Sequence, residues 1–483
     1  MLTALAVVGC AAGVVVGLWS GPLWLDETLS VEIAALPLPE FYQALRQDGS
    51  PPLYYLLLHG WMSLLGEGTV VVRLPSALLT VVALLLAYRL GTRLGELTDR
   101  AERPWDPVAT GRACVVALAA LPWTMRFGSE ARMYVLVVVL VLAGTLALLA
   151  VHRSPSRGAV LGLAASVTGL LLTHYWALFL LMAVGLMHLP GLLRRRPAAV
   201  RVAVAGTIGV LAFFPWLPTF LFQAAHTGAP WAKAVEPLDL LRWPRFFGAG
   251  TLLERTIVAW VLGGLGLLAV VRVPVARRTG GIAAATILLA WTSVAIGGGA
   301  YVARYMAVVV PLVAVTVALV ALALPGFRRP FLALALVAAF GVVTGVPAAG
   351  GSRTFAGDVA TAYRSSAATG DLLVYCPDQL GPPVARLLGP GYRQVVYPSL
   401  AEPARIDWVD YRARQDAADP RAIAASVDAL AGRQRLFVLV ASGYRTFEGD
   451  CERLLSEVAQ RRGRADDWSG TLGGADPLLF RFP

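Results

Sequence analysis

Charge is scarce in this chain, and most of it comes from one residue type. Only 15% of the 483 residues are Asp, Glu, Lys or Arg, against 57% hydrophobic and a mean hydropathy of +0.66. A soluble globular domain carries about a quarter charged residues, so that class is excluded. Lysine is nearly absent: Lys233 stands alone beside forty arginines. That bias points to G+C-rich coding and a bacterial source and is silent on mechanism. The four cysteines show no metal-ligand spacing, which excludes a zinc-ribbon module. The N-terminus lacks a basic n-region, so no cleaved signal peptide is expected. No Asp-X-Asp triplet occurs anywhere.

What is present in abundance is long apolar sequence. A membrane-crossing helix needs about 20 largely apolar residues. Charge-poor runs at 1–25, 74–88, 113–125, 133–151, 161–173, 175–190, 202–222, 256–271, 280–302, 305–324 and 331–346 predict a polytopic α-helical membrane protein with about eleven spans. With residue 1 cytoplasmic, the connections 89–112, 152–158, 191–201, 272–279 and 325–330 hold sixteen arginines and four acids. The opposite side before residue 348 holds nine basic and ten acidic residues, and the segment 348–483 balances to zero. The whole excess of +11 therefore lies on one side. That is the positive-inside pattern, and it accounts for a pI near 9.8 without nucleic acid as a partner.

The run 52–65 is apolar but too short to cross, and counting it would place the arginine clusters outside. It reads as an interfacial or re-entrant helix. Its neighbour 39–46 reads as a surface helix, making the first outer loop, 26–68, a structured platform. The expected division is a membrane domain over 1–347 and a separate domain over 348–483. In the latter, 371–375, 394–397, 435–440 and 478–482 read as strands, and 382–388, 422–431 and 451–461 as amphipathic helices. That alternation predicts a small α/β domain with a mostly parallel sheet, extracytoplasmic because the span count is odd. Cys376 and Cys451 both fall at the edge formed by strand C-terminal ends, where an oxidising compartment would let a disulfide persist. Cys10 and Cys114 lie in apolar runs and read as packing residues.

The outward ends of the spans collect polar residues. They are Asp26-Glu27, Ser50-Pro51-Pro52-Leu53-Tyr54-Tyr55, His59, Arg73-Leu74-Pro75-Ser76, Ser129-Glu130-Ala131-Arg132-Met133-Tyr134, Thr173-His174-Tyr175-Trp176 and Tyr301-Val302-Ala303-Arg304-Tyr305. Acids at bilayer height are costly and rarely without purpose. In order and sidedness these segments resemble the GT-C glycosyltransferases, specifically bacterial members near the protein O-mannosyltransferase and aminoarabinose-transferase group (family 39-like). The resemblance covers roughly residues 1–310. It implies an inverting transfer of mannose or a pentose from a polyprenyl-phosphate donor to a glycan, lipid or protein acceptor of the cell envelope, at the outer face of a bacterial inner membrane.

An acceptor hydroxyl must lose a proton as it attacks, so a placed carboxylate suits a general base. By resemblance that base is Asp26, with Glu27 beside it to orient the acceptor, hold a metal or face water. The departing phosphate gains charge, and guanidinium groups stabilise it. Arg132 and Arg304, with Tyr134 and Tyr305, are the expected phosphate ligands, while Tyr54, Tyr55 and His59 are expected to contact substrate. Arg73 is read as bracing the first loop. Some relatives hold a divalent metal with a Glu and a His on these loops, and Glu130 and His174 are the nearest match; alternatively Glu130 pairs with Arg126 or Arg132, and His174 bonds at a helix end. No other cofactor is implied. The loop 223–255 reads as a lid or as an interfacial belt. A transporter or flippase of lipid-linked sugars is the competing class. It predicts internal repeats and charges near the midplane, whereas these charges stand at span ends.

Overall fold

In lipid every backbone polar group must be satisfied within the chain, so apolar sequence of this density folds as helices. The computed structural model describes residues 1–97, 105–248, 256–257, 260–261, 263–264, 273–326, 328–441, 449–467 and 477–483. They form two compact units, and the chain passes between them five times.

The first unit comprises Met1–Ser20, Ser50–Pro218 and Ala234–Gly351. Among the described residues, five helices are long and apolar enough to cross a membrane: Thr69–Leu97, Tyr134–Arg153, Pro197–His226, Pro274–Gly297 and Arg329–Gly350. Six shorter apolar helices accompany them: Leu2–Leu18, Leu53–Leu65, Pro107–Ala119, Arg157–Leu171, Ala177–Leu193 and Val310–Leu322. The expected span 256–271 lies largely outside the described residues. The first run ends earlier than its composition indicates, at Leu18, because Gly21 takes a left-handed φ of 85° just before Pro22. Without lipid-excluding force between helices, close approach needs small residues. Gly9, Gly13 and Gly17 supply it along one face of Leu2–Leu18: a Cβ at Gly13 would come within 2.9 Å of Met125, and one at Gly9 within 2.4 Å of Val342.

The second unit comprises Gly21–Gly49, Thr219–Lys233 and Ser352–Pro483. Its five strands are β1 (Leu372–Cys376), β2 (Arg393–Val396), β3 (Leu436–Val440), β4 (Asp466–Asp467) and β5 (Leu478–Phe482), in the order β2-β1-β3-β5-β4. β1 pairs parallel with β2 and β3; β5 runs antiparallel to β3 and to β4. Every residue of β1 and β3 is buried, as continuous apolar strands covered on both faces should be. Leu372, Val374 and Cys376 enter one core with Leu436, Val438 and the helix Pro420–Ala431; Leu373 and Tyr375 enter the other with Phe437 and the helix Ala356–Ser366. The expectation of a mostly parallel sheet holds for β2-β1-β3, and the closing strand adds two antiparallel pairings.

The division of the chain also differs from the expected break at 347. Pro347 lies inside the helix Arg329–Gly350, and the unit boundary falls at Ser352. The loop 26–68 is split at Gly49, its first part belonging to the α/β unit. Packing gives the reason: Leu29 sits in the sheet's core, Glu32 pairs with Arg386 at 2.7 Å, and the Gln47 carbonyl accepts the Trp408 N–H at 3.1 Å.

Cys376, ending β1, is bonded to Cys451 in the first turn of the helix Asp450–Arg462, 75 residues away. A closed loop of that length stabilises mainly by restricting the unfolded chain, by about 4 kcal/mol. A double Cys376→Ser/Cys451→Ser variant should therefore melt several degrees below the parent. An unchanged midpoint, with no mobility shift on reduction of the parent, would remove the bridge as a stabilising element.

Asp378 follows β1 and is buried, accepting the Tyr411 hydroxyl at 2.6 Å, while Gln379 Nε2 donates to that hydroxyl at 2.8 Å. Burial pushes the Asp378 carboxyl up to about 7, against the opposing Tyr411 bond and the Arg414 charge. A raised carboxyl means that the fold prefers the protonated form. Its stabilisation is complete below pH ~4, its unfolded value, and is lost as pH rises through about 7, to an extent on the order of 4 kcal/mol. Chemical unfolding of the parent should weaken across that window, and Asp378→Asn should flatten the dependence; parallel pH profiles would refute the assignment.

Candidate functional site

In the first unit, short connections bring distant helices together. The turn before the helix Tyr134–Arg153 is tight, the Arg132 N–H bonding the Glu130 carbonyl at 2.7 Å. Arg132 Nη1 donates to the Tyr55 hydroxyl at 3.0 Å. Tyr55 lies on the helix Leu53–Leu65, whose Leu53 N–H donates to the Leu172 carbonyl at 2.9 Å, fixing that helix to the turn that carries His174. The His174 ring meets the Tyr305 ring edge-on at 4.8 Å and the Tyr134 ring at 6.1 Å. Trp176 packs on Tyr305 at 5.4 Å and on Tyr301 at 5.9 Å. The Arg304 guanidinium stands 5.5 Å from the Tyr305 ring centre. Tyr55, Arg132, Tyr134, His174, Arg304 and Tyr305, chosen from four separate stretches of sequence, therefore share one neighbourhood. Tyr54 is buried with its ring 6.0 Å from Tyr55; His59, half-buried, is one turn further along the same helix.

The electrostatics of this neighbourhood are cationic. Burial, and then the charges of Arg132 and Arg304, push the His174 imidazole down to about 3. Its Nδ1 lies 3.2 Å from the Trp176 N–H, which can only donate, so the ring proton resides on Nε2. His174 is thus a neutral ring with a fixed N–H donor. Two guanidinium groups, a donating imidazole and tyrosine hydroxyls at the ends of apolar helices suit a phosphate.

The remaining polar residues bind the scaffold. Arg73, fully buried, donates to the Leu18 carbonyl at 3.1 Å, and Ser76 Oγ donates to the Glu130 carbonyl at 2.5 Å. Glu130 is paired with Arg126 at 2.9 Å. The Glu130 carboxylate therefore rests on a guanidinium, and His174 Nδ1 on a backbone N–H. No group of three His, Cys, Asp or Glu able to hold a metal occurs among the described residues. One supporting residue escaped the sequence reading. Trp123 Nε1 donates to the Ala303 carbonyl at 2.8 Å and so holds the turn Ala303–Val308 that presents Arg304. A tryptophan within an apolar run carries no signal for that contact.

In the second unit, Asp26 and Glu27 occupy the first turn of the helix Leu25–Ala34 and differ sharply in exposure. Asp26 is half-buried. Glu27 is fully buried, accepts the Trp24 N–H at 3.4 Å and pairs with Arg353, itself 1% exposed, at 3.2 Å. Of the loop 223–255, the part 223–233 belongs to this unit, with Trp231 packed on the sheet's core; residues 234–248 belong to the first unit, and 249–255 lie outside the described residues.

No family model matches the sequence, and no curated protein matches it. Solved structures do match. ArnT from Cupriavidus metallidurans bound to undecaprenyl phosphate is similar over 99% of this chain and 98% of that one, at 14% identity and a TM-score of 0.59. Its apo form is similar over 98% and 97%, at 13% identity and a TM-score of 0.58. The arabinofuranosyltransferase AftD from Mycobacteria is similar over 96% of this chain and 37% of its own, at 14% identity and a TM-score of 0.51. From end to end this chain has the fold of ArnT, and over 96% of its length that of AftD.

Proposed function

We propose that this chain is a multi-pass, polyprenyl-phosphate-dependent glycosyltransferase of the bacterial inner membrane, with its N-terminus cytoplasmic and its α/β unit extracytoplasmic. It moves mannose or a pentose to a cell-envelope acceptor. The observation that carries the reading is the gathering of Arg132, Arg304, Tyr55, Tyr134, His174 and Tyr305 in one neighbourhood. Solved proteins of this fold include one bound to undecaprenyl phosphate and one named an arabinofuranosyltransferase.

In this reading the acceptor hydroxyl attacks the anomeric carbon as Asp26 takes its proton, the bond to the phosphate oxygen breaks, and the sugar configuration inverts. The phosphate leaves with added negative charge, which Arg132 and Arg304 stabilise more in the transition state than in the ground state. Tyr55, already bonded to Arg132, keeps that guanidinium oriented. His174 donates through Nε2 and, with its imidazole pushed down to about 3, is a poor base.

Incubating the purified protein with a panel of radiolabelled polyprenyl-phosphate sugars, including mannose and arabinofuranose, tests this directly. Transfer or hydrolysis from at least one donor is expected. Binding and vesicle translocation of a lipid-linked sugar without turnover would overturn the enzyme in favour of a flippase.

A further inference from the structure

The helix Thr69–Leu97 carries an exposed apolar stripe that ends in a basic cavity, and neither feature belongs to the site described above. Leu78, Val82 and Leu85 are exposed and follow one another at the three-to-four-residue spacing of a single helix face. Arg89, Thr92, Arg93 and Glu96 continue that face, and with Leu146 of the helix Tyr134–Arg153 they line a cavity of about 370 Å³. Arg93 is paired with Glu96 at 3.0 Å. Arg89 has no acidic partner among the described residues. A guanidinium with no acidic partner among the described residues, a second one half-neutralised, a hydroxyl and an apolar wall thus close off a strip of surface suited to an acyl chain.

We propose that this cavity seats the headgroup of an anionic phospholipid, its phosphate on Arg89 and Arg93 and its acyl chain along Leu85, Val82 and Leu78. Both ends of the ligand are specified by the surface. An apolar stripe alone would accept any lipid, and the cationic end adds the preference for negative charge. Basic pockets between membrane helices on the arginine-rich side are places where anionic headgroups settle. Arg89 and Arg93 open the connection 89–112, which holds five arginines and four acids on the arginine-rich side.

The test uses the full-length protein exchanged into phosphatidylcholine, with or without phosphatidylglycerol, and native mass spectrometry to count retained lipid. Wild type should retain one phosphatidylglycerol in preference to phosphatidylcholine, and inorganic phosphate should not displace it. Arg89→Gln/Arg93→Gln should reduce that preference about 30-fold, at roughly a fivefold loss for each surface arginine. Leu146→Trp, which keeps both arginines and fills the cavity, should also reduce it. Equal retention of both lipids, an unchanged preference in either variant, or displacement by millimolar inorganic phosphate would overturn the proposal, the last by reassigning the cavity to a free anion.

Discussion

Replacing Asp26 by asparagine should lower transfer by about two to four orders of magnitude, the usual contribution of a positioned general base. Asparagine keeps the shape and the hydrogen-bond acceptor but cannot take up the acceptor's proton. Donor binding, assigned to Arg132 and Arg304, should survive the substitution, so the loss should appear in turnover and not in donor affinity. Folding should survive as well, because Asp26 is half-buried and asparagine matches its size and shape. Measured on the donor that the panel identifies, a variant with parental turnover would remove Asp26 from the chemistry. A variant that lost donor affinity instead would move it to substrate binding.

The helices and strands were legible because their cause is local. A run such as Leu373-Val374-Tyr375 or Phe437-Val438-Leu439 has few ways to bury itself other than as a covered strand, and the apolar runs have few ways to satisfy their backbone other than as helices. What the sequence could not show depends on long-range packing. Antiparallel β5 and parallel β1 read alike as apolar runs, since direction is set by the path of the chain between strands. The allocation of Gly21–Gly49 to the α/β unit follows from Leu29, Glu32 and Gln47 meeting residues more than 340 positions away. The neighbourhood around Arg132 was legible as a set of residue types at span ends, but the pairings were not. That Arg132 meets Tyr55 could not be derived from spacing, and of the two partners offered for Glu130 the structure selects Arg126, one helical turn before it. Nor could the division of labour within Asp26-Glu27, where one side chain is half-buried and its neighbour is locked to Arg353.

That lock gives the largest stability effect expected here. The side chains of Arg353 and Glu27 are 1% and 0% exposed and paired at 3.2 Å, so removing either partner takes the counter-charge from the other at a place away from water. The cost of such a break is about 3–5 kcal/mol, a large share of the stability of an ordinary domain. Glu27→Gln should therefore unfold at markedly lower denaturant or temperature, while Asp26→Asn, one residue away, should not. Replacing both partners, as Glu27→Gln/Arg353→Met, removes the stranded charge and should recover most of the loss, because a buried pair contributes little net stability against apolar substitutes. The double variant also separates two roles that the single variant confounds. If it regains the parental midpoint and transfers sugar, Glu27 serves to anchor the helix that presents Asp26. If it regains the midpoint and stays inactive, the Glu27 carboxylate takes part in the reaction itself. If single and double variants are equally unstable, the ion pair is not what holds the helix Leu25–Ala34 in place, and its anchoring rests on Leu29 in the sheet's core.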